Sequence, residues 1–244
     1  MKNNRTPLPT PLDRNSPDRH LALAPGTGDQ EGTPLLRRRP LSLNLLGRTP
    51  EPGQVKTRLI PLLGPRGAAR AHERLLSHVA TVARSWCQEA PGREFLLWCT
   101  PTCDHPSFDT IADPGRRRLQ GNGDLGQRLA AIVSTQLQSH RAILLLGGDA
   151  ASIAPPLLDQ VEASLDNHDA VLVPAEDGGY LLLALTRDHP QLFVDIPWGT
   201  ETVAENTRKR LVTLGFSWTE TTIGWDVDRP EDWNRFENMP HRSS

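Results

Sequence analysis

Cysteine is scarce: Cys87, Cys99 and Cys103 are the only 3 in 244 residues, too few and too irregular for a disulfide framework. A reducing, cytoplasmic setting is therefore expected. Cys99-x-x-x-Cys103 would need two further ligands to hold zinc, and nearby His105 supplies one at best, so no metal is expected there. Long apolar runs are also missing. Nothing approaches the roughly 20 residues that span a bilayer, and LALAP at 21–25 is too short for a secretory core. Nor is there an excess of charge of one sign. A formal net charge of −2 gives no electrostatic basis for a nucleic-acid or anionic-membrane partner, so any phosphate site must be local. Three motifs are absent as well. Without G-x-x-x-x-G-K-[ST] the chain is not a P-loop protein, and lack of G-x-G-x-x-G and G-x-S-x-G argues against a Rossmann dehydrogenase and an α/β hydrolase.

What is present is an ordinary soluble composition, 37% hydrophobic and 23% charged, on a chain long enough to bury a sizeable core. Residues 1–40 stand apart. They hold 7 of the 22 prolines, a basic RRRP at 37–40 and no periodicity, and are expected to be a disordered extension. From residue 41 the pattern becomes regular. LSLNLL (41–46), EFLLWC (94–99), AILLLGG (142–148), DAVLVPA (169–175) and GYLLLAL (179–185) read as strands. Residues 66–89, 123–138, 155–165, 200–215 and 229–237 read as helices, the third opening on prolines and the fourth closing on glycine. Alternating strands and helices predict a three-layer α/β/α sandwich, a Rossmann-like mostly parallel sheet, over residues 41–240. Ligands of such sheets sit outside the carboxyl ends of the strands.

Several segments place reactive groups at those ends. In PEPGQVKTRL (50–59), Gly53 permits close backbone approach, while Lys56 and Arg58 put two cations after a strand; a polyphosphate site and a solvated surface loop both fit. In QGNGDLGQRL (120–129), Asp124 suits a helix N-cap, and Gln120 offers an amide. AILLLGGDAAS (142–152) ends a buried run on Gly147, Gly148 and Asp149, either a turn or a metal ligand at the mouth of a site. PAEDGGYLLLAL (174–185) carries an Asp-Gly hairpin signal, which explains Gly178 and Gly179 but not Glu176, Asp177 or Tyr180. In GWDVDRPEDW (224–233), Asp226 and Asp228 alternate and would share one face of a strand; Asp228 and Pro230 also punctuate a helix start.

Taken in order, VKTRL, Gly-Asp-Leu-Gly, a strand ending Gly-x-Asp, PAEDGGY, IPWxT and DVDxPED resemble one bacterial family across about residues 41–237. It comprises GT-A-fold, nucleotide-diphospho-sugar-transferase-like proteins of the arsenosugar-biosynthesis glycosyltransferase type, related to molybdenum-cofactor and 2-phospholactate guanylyltransferases. The resemblance implies a nucleotide across the N-terminal half of the sheet. Gly53, Lys56, Arg58 and Gly148 would then lie near the phosphates, with Gln120, Gly123 and Asp124 near base and ribose. Asp149 would be the metal-binding aspartate and Asp228 a second metal ligand. Glu176, Asp177, Tyr180 and Trp198 would line the acceptor side. Two departures stand out: Asp149 is followed by Ala150-Ala151-Ser152 where the family has a further acid and a proline, and Gly47-Arg48-Thr49 replaces a basic-aromatic pair.

The implied activity is an Mg²⁺- or Mn²⁺-dependent transfer from a nucleotide sugar or nucleoside triphosphate to a small-molecule acceptor. Asp149, Lys56, Arg58, Glu176 and Asp177 would be its catalytic residues. A base at Glu176 or Asp177 suits a hydroxyl acceptor and hence glycosyl transfer. The alternatives are a nucleotidyltransferase acting on a phosphorylated small molecule, and an inactive nucleotide-binding module, which the altered segment after Asp149 suggests.

Overall fold

The structure, a computed structural model, describes residues 39–240. All but the last two residues of the expected disordered extension therefore lie outside the described residues. Seven strands form one sheet: β1 (Leu41–Arg48), β2 (Arg93–Thr100), β3 (Arg117–Leu119), β4 (Ala142–Gly147), β5 (Ala170–Pro174), β6 (Tyr180–Leu185) and β7 (Trp218–Glu220). Their order is β3-β2-β1-β4-β6-β5-β7. The pairs β1–β2, β1–β4, β2–β3 and β5–β7 are parallel, and β6 alone runs antiparallel to both its neighbours. That reversal follows from the short Glu-Asp-Gly-Gly connection, since only antiparallel strands can be joined by so tight a turn.

The strands are apolar on both faces because both are covered. Leu144 and Leu146 of β4 face a core containing Leu76, Val79 and Trp86 of helix α1 (Ile60–Gln88) and Leu158 and Val161 of α3 (Pro155–Ser164). Alternate residues Ile143 and Leu145 face Leu129, Ile132 and Val133 of α2 (Leu125–Gln136) and Ala204 and Leu211 of α4 (Val203–Thr213). A smaller cluster joins Leu59, Ala71 and Leu75 to Trp233 and Phe236 of α5 (Pro230–Glu237). This is the three-layer sandwich the alternation predicts.

Two buried polar residues in β1 fix its place beside β2. Trp98 Nε1 donates to Asn44 Oδ1 at 2.8 Å, and Asn44 Nδ2 donates to Ser42 Oγ at 2.8 Å. Truncating Asn44 would leave the Trp98 N–H unpaired in a dry core, at about 1–3 kcal/mol.

The departures from the sequence-based boundaries have local causes. α1 begins at Ile60 rather than 66 because a first turn precedes Gly64, whose left-handed φ of 68° breaks the helix just before Pro65. β3 and β7 carry no apolar run; each is a three-residue strand at a sheet edge, where short, polar strands discourage pairing with other chains.

Candidate active site

The sheet's parallel strands β1 and β4 end side by side, Leu46 paired with Gly147, and the chemistry-bearing loops leave from there. The loop after β1 is held at both ends. The Thr49 N–H donates to Thr100 O at 2.9 Å, and Val55 and Leu59 are buried. Between these anchors Lys56 adopts a left-handed backbone, φ 46° and ψ 45°. For a residue with a Cβ that conformation is uncommon and is sustained by its surroundings. Here it accompanies a Lys56 side chain only 8% exposed, whose Nζ donates to Asp149 Oδ2 at 2.6 Å. Two residues on, Arg58 Nη1 forms a tight ion pair with Asp228. The sequence left open whether these cations are solvated; both are spent on carboxylates.

Asp149 comes off β4, and the residues after it explain the missing acid and proline. Ala150 and Ala151 are fully buried, Ala151 in the cluster that holds Val227, Trp233 and Phe236. Ser152 Oγ donates to Trp225 O at 3.0 Å and accepts from Trp225 N at 2.8 Å, while Val227 N donates to Asp149 O at 3.2 Å. The small segment is thus a dock for residues 224–228, which carry Asp226 and Asp228. With Val227 fully buried between them, the two aspartates alternate onto the cleft as their spacing suggested. Asp232, at the start of α5, accepts from the N–H groups of Asp228 (3.1 Å) and Arg229 (2.8 Å), fixing Asp228 from behind.

The electrostatics follow from this crowding. Burial pushes Asp149 up, but the Lys56 charge and hydrogen bond outweigh it and hold the carboxyl below its usual range. Burial likewise pushes Lys56 down, and Asp149, Asp228 and Asp226 together raise it above its ordinary value. For Asp226 the balance goes the other way: burial, then the charges of Asp149 and Asp177, outweigh the Lys56 charge and push it up to about 7. His72 of α1 sits behind the pair, its Nε2 donating to Arg48 O at 2.9 Å and its buried Nδ1 without a partner. Its pKa is lowered, by burial first and further by Lys56, against the Arg48 hydrogen bond.

The β5–β6 turn closes the other side. Asp177 Oδ1 accepts from the Gly179 N–H at 2.8 Å, so the turn aims Asp177 at the cleft. Gly178, φ 88°, lies so close to Glu201 that an added Cβ would sit 2.0 Å from its carbonyl oxygen. Glu176 goes elsewhere, to an exposed ion pair with Arg235 at 2.9 Å on the outer rim. Tyr180 and Trp198 meet edge-to-face at 6.4 Å, and Trp198 stacks on Phe193, also at 6.4 Å. The resulting cleft, about 310 Å³, is lined by Asp149, Asp177, Asp226 and Asp228 together with Leu46, Leu129, Leu145, Tyr180 and Trp198.

The residues expected at the base and ribose each serve the fold. Gln120 is buried, its Nε2 donating to Trp98 O at 2.8 Å. Asp124 caps α2 reciprocally with Gln127, and Gly123 is needed because a Cβ would sit 2.2 Å from the Gln127 Oε1. Gly148 is required by the Leu46 carbonyl, 2.7 Å from its would-be Cβ, and Gly53 sits in an exposed turn at φ 82°. Sequence reasoning left Asp226 out of the expected metal ligands although the alternation flagged it. It missed His72, which stands in no motif, and it noted Ser152 only as a departure from the family, not as the anchor of Trp225.

An all-carboxylate set at Asp149, Asp226 and Asp228 fits a hard divalent cation. The like-charge crowding that raises Asp226 is what such an ion would relieve. Among the described residues no three ligands already converge for a metal; Lys56 pairs with Asp149 and Arg58 with Asp228.

The fold is that of the nucleotide-diphospho-sugar transferases. A Desulfovibrio desulfuricans G20 protein provisionally named as one superposes with a TM-score of 0.72 at 24% identity, over 84% of this chain and 89% of that one. The 4-diphosphocytidyl-2C-methyl-D-erythritol synthase of Anaerococcus prevotii DSM 20548 matches at 0.52 and 11%, over 83% and 96%. A CMP:2-keto-3-deoxy-manno-octonic acid synthetase in complex with CTP matches at 0.50 and 15%, over 80% and 96%. Residues 82–200 match the model of the family described as "Uncharacterized protein conserved in bacteria (DUF2064)". No curated protein matches the chain. No helix of the described residues is long and apolar enough to cross a membrane.

Proposed function

We propose that the protein is a divalent-metal-dependent transferase that takes a nucleotide-activated donor, and that it transfers a glycosyl group. One observation carries this reading: Lys56, Arg58, Asp149, Asp226 and Asp228, from three separate segments, meet at the carboxyl ends of β1 and β4. Two cations on a strained loop beside three carboxylates suit a metal diphosphate, which offers each group its opposite charge. Asp149, Asp226 and Asp228 would hold Mg²⁺ or Mn²⁺. When bound, the ion supplies Lewis-acid stabilisation of the departing phosphate.

The remaining work belongs to the chain's own groups. Lys56 and Arg58 bind the diphosphate, Lys56 as a point charge and Arg58 as a fork, and stabilise charge on the leaving group. Asp177, free of any cation and held by the turn, accepts the acceptor's hydroxyl proton; Glu176, paired with Arg235, is not in that position. Leu46, Leu129, Trp198 and Tyr180 exclude water from one wall of the cleft. Ala151 packs against the segment that carries Asp226 and Asp228 and Ser152 bonds to it, which supports reading the departure from the family as a structural dock.

Calorimetry with nucleoside triphosphates and nucleotide sugars, with and without Mg²⁺ or Mn²⁺, tests the proposal. Metal-dependent binding is expected, with turnover of a nucleotide sugar lost in Asp149→Ala. Metal-independent binding without turnover would sink the transferase reading. Release of pyrophosphate from a triphosphate would instead identify a nucleotidyltransferase.

A further inference from the structure

We infer that the acceptor is a neutral, hydroxyl-bearing molecule with an apolar or aromatic face, and not a phosphorylated or carboxylated one; this rests on the transferase reading above. The first ground is charge. Among the described residues lining the cleft there are four aspartates, and Arg58 is the one cation. The outer recess of about 600 Å³ beyond Asp228 has six carboxylates against Arg58 and Arg229. Loading the donor does not reverse the sign. Four aspartates and a diphosphate still outweigh one divalent ion with Lys56 and Arg58, so a second anion in the cleft meets like charge at close range.

The second ground is the apolar lining. Leu46, Leu125, Leu129, Leu145 and Trp198 line the same cleft, and the Trp198 ring stacks with Phe193 and meets Tyr180 edge-to-face. A rigid aromatic beside aliphatic side chains favours the flat or apolar face of a ring. Asp177 lines the same cleft and is placed for the hydroxyl. Trp198 and Asp177 are thus the residues that select the acceptor.

The test uses the full chain with its tryptophans ¹⁵N-labelled, in Mg²⁺ and a saturating nucleoside diphosphate chosen by binding from UDP, GDP, CDP, ADP and dTDP. Two probes of matched ring are titrated, phenyl β-D-glucoside and glucose 1-phosphate. The neutral glycoside should shift the Trp198 indole signal and bind at least tenfold tighter than the phosphate. Trp198→Ala should lose that binding. Asp177→Asn, which keeps the oxygen that accepts from Gly179 and so preserves the turn, should narrow the preference at least threefold. Glucose 1-phosphate binding as tightly as the glycoside, or an unchanged preference in Asp177→Asn, would overturn the inference. Nucleotide binding with neither probe bound would overturn it too, while leaving the transferase reading intact. If no nucleoside diphosphate binds at all, both fall.

Discussion

Lys56 carries two unfavourable features, a left-handed backbone and a nearly buried ammonium, and its pairing with Asp149 offsets both. Breaking a fully buried pair costs about 3–5 kcal/mol, chiefly through the charge left behind. The Asp149 side chain is 38% exposed, so water screens part of that penalty. Lys56→Met should lower stability by about 1–2 kcal/mol in EDTA, read by urea denaturation. Added Mn²⁺ should recover more stability in the variant than in the wild type, because Asp149 is then free to bind it. An equal response in the two proteins would mean that Lys56 does not compete with the metal.

His72 gives a pH dependence at the same scale. Its folded pKa is lowered below the ordinary 6.5, by burial first and then by Lys56. The unfolded chain therefore binds the proton that the folded one refuses. The contribution of His72 is complete above about pH 6.5 and is lost as the pH falls below it, at up to about 1.4 kcal/mol per pH unit. In His72→Gln, whose amide can still donate to Arg48 O, the fall between pH 6.5 and 5.5 should be shallower. Parallel stability curves for the two proteins would show that His72 does not titrate in this way.

At the scale of elements, two glycine-rich turns that look alike in sequence do different work. Gly147-Gly148 is small because β1 and α1 press on it, Gly148 being 2.7 Å from both the Leu46 carbonyl and a Leu76 methyl once a Cβ is built. Gly178 is small because the loop before α4 lies on it, with Ala204 N donating to Gly178 O at 3.0 Å. Gly178→Ala forces both a positive φ and a collision with Glu201, so the loop carrying Trp198 and Thr200 must move away. The expected result is a large loss of acceptor-dependent activity with metal-dependent nucleotide binding retained, measured by calorimetry beside turnover. Loss of nucleotide binding would mean that the turn shapes the donor site as well.

Over the whole molecule, the long elements were legible because burial on both sheet faces leaves continuous apolar runs and buried helix faces leave three- and four-residue steps. β3 and β7 were not, since edge strands of three residues carry neither signal. The candidate site was legible where a motif residue lines the cleft, as at Arg58, Asp149, Asp177 and Asp228, or pairs with one that does, as at Lys56. The Asp124 cap was legible as well, whereas the buried bond of Gln120 to β2 and the place of His72 behind the ion pair were not. Whether a carboxylate faces a ligand or a neighbouring arginine depends on tertiary packing. Glu176 and Asp177 are adjacent, yet the one pairs with Arg235 while the other faces the cleft.

The ligand-free balance of charge also predicts how the protein loads. With Lys56 on Asp149 and Arg58 on Asp228, a metal ion arriving alone must displace two cations, and a nucleotide arriving alone must draw those cations off carboxylates that are then left bare. Arriving together, the metal takes the carboxylates and the phosphates take the cations, so no charge is stranded. Each ligand should therefore raise the affinity for the other, and thermodynamic linkage requires the factor to be the same in both directions, typically about 5–150-fold. Calorimetric titration of Mn²⁺ with and without nucleotide, and of nucleotide with and without Mn²⁺, measures both sides of that cycle. Mn²⁺ forms its own complex with nucleotide in solution, so the factor is corrected for that association. In Lys56→Met the corrected coupling should shrink, because Asp149 no longer has to be released before the metal binds. A coupling factor near one in the wild type would mean that the two ion pairs are not what metal and nucleotide exchange against.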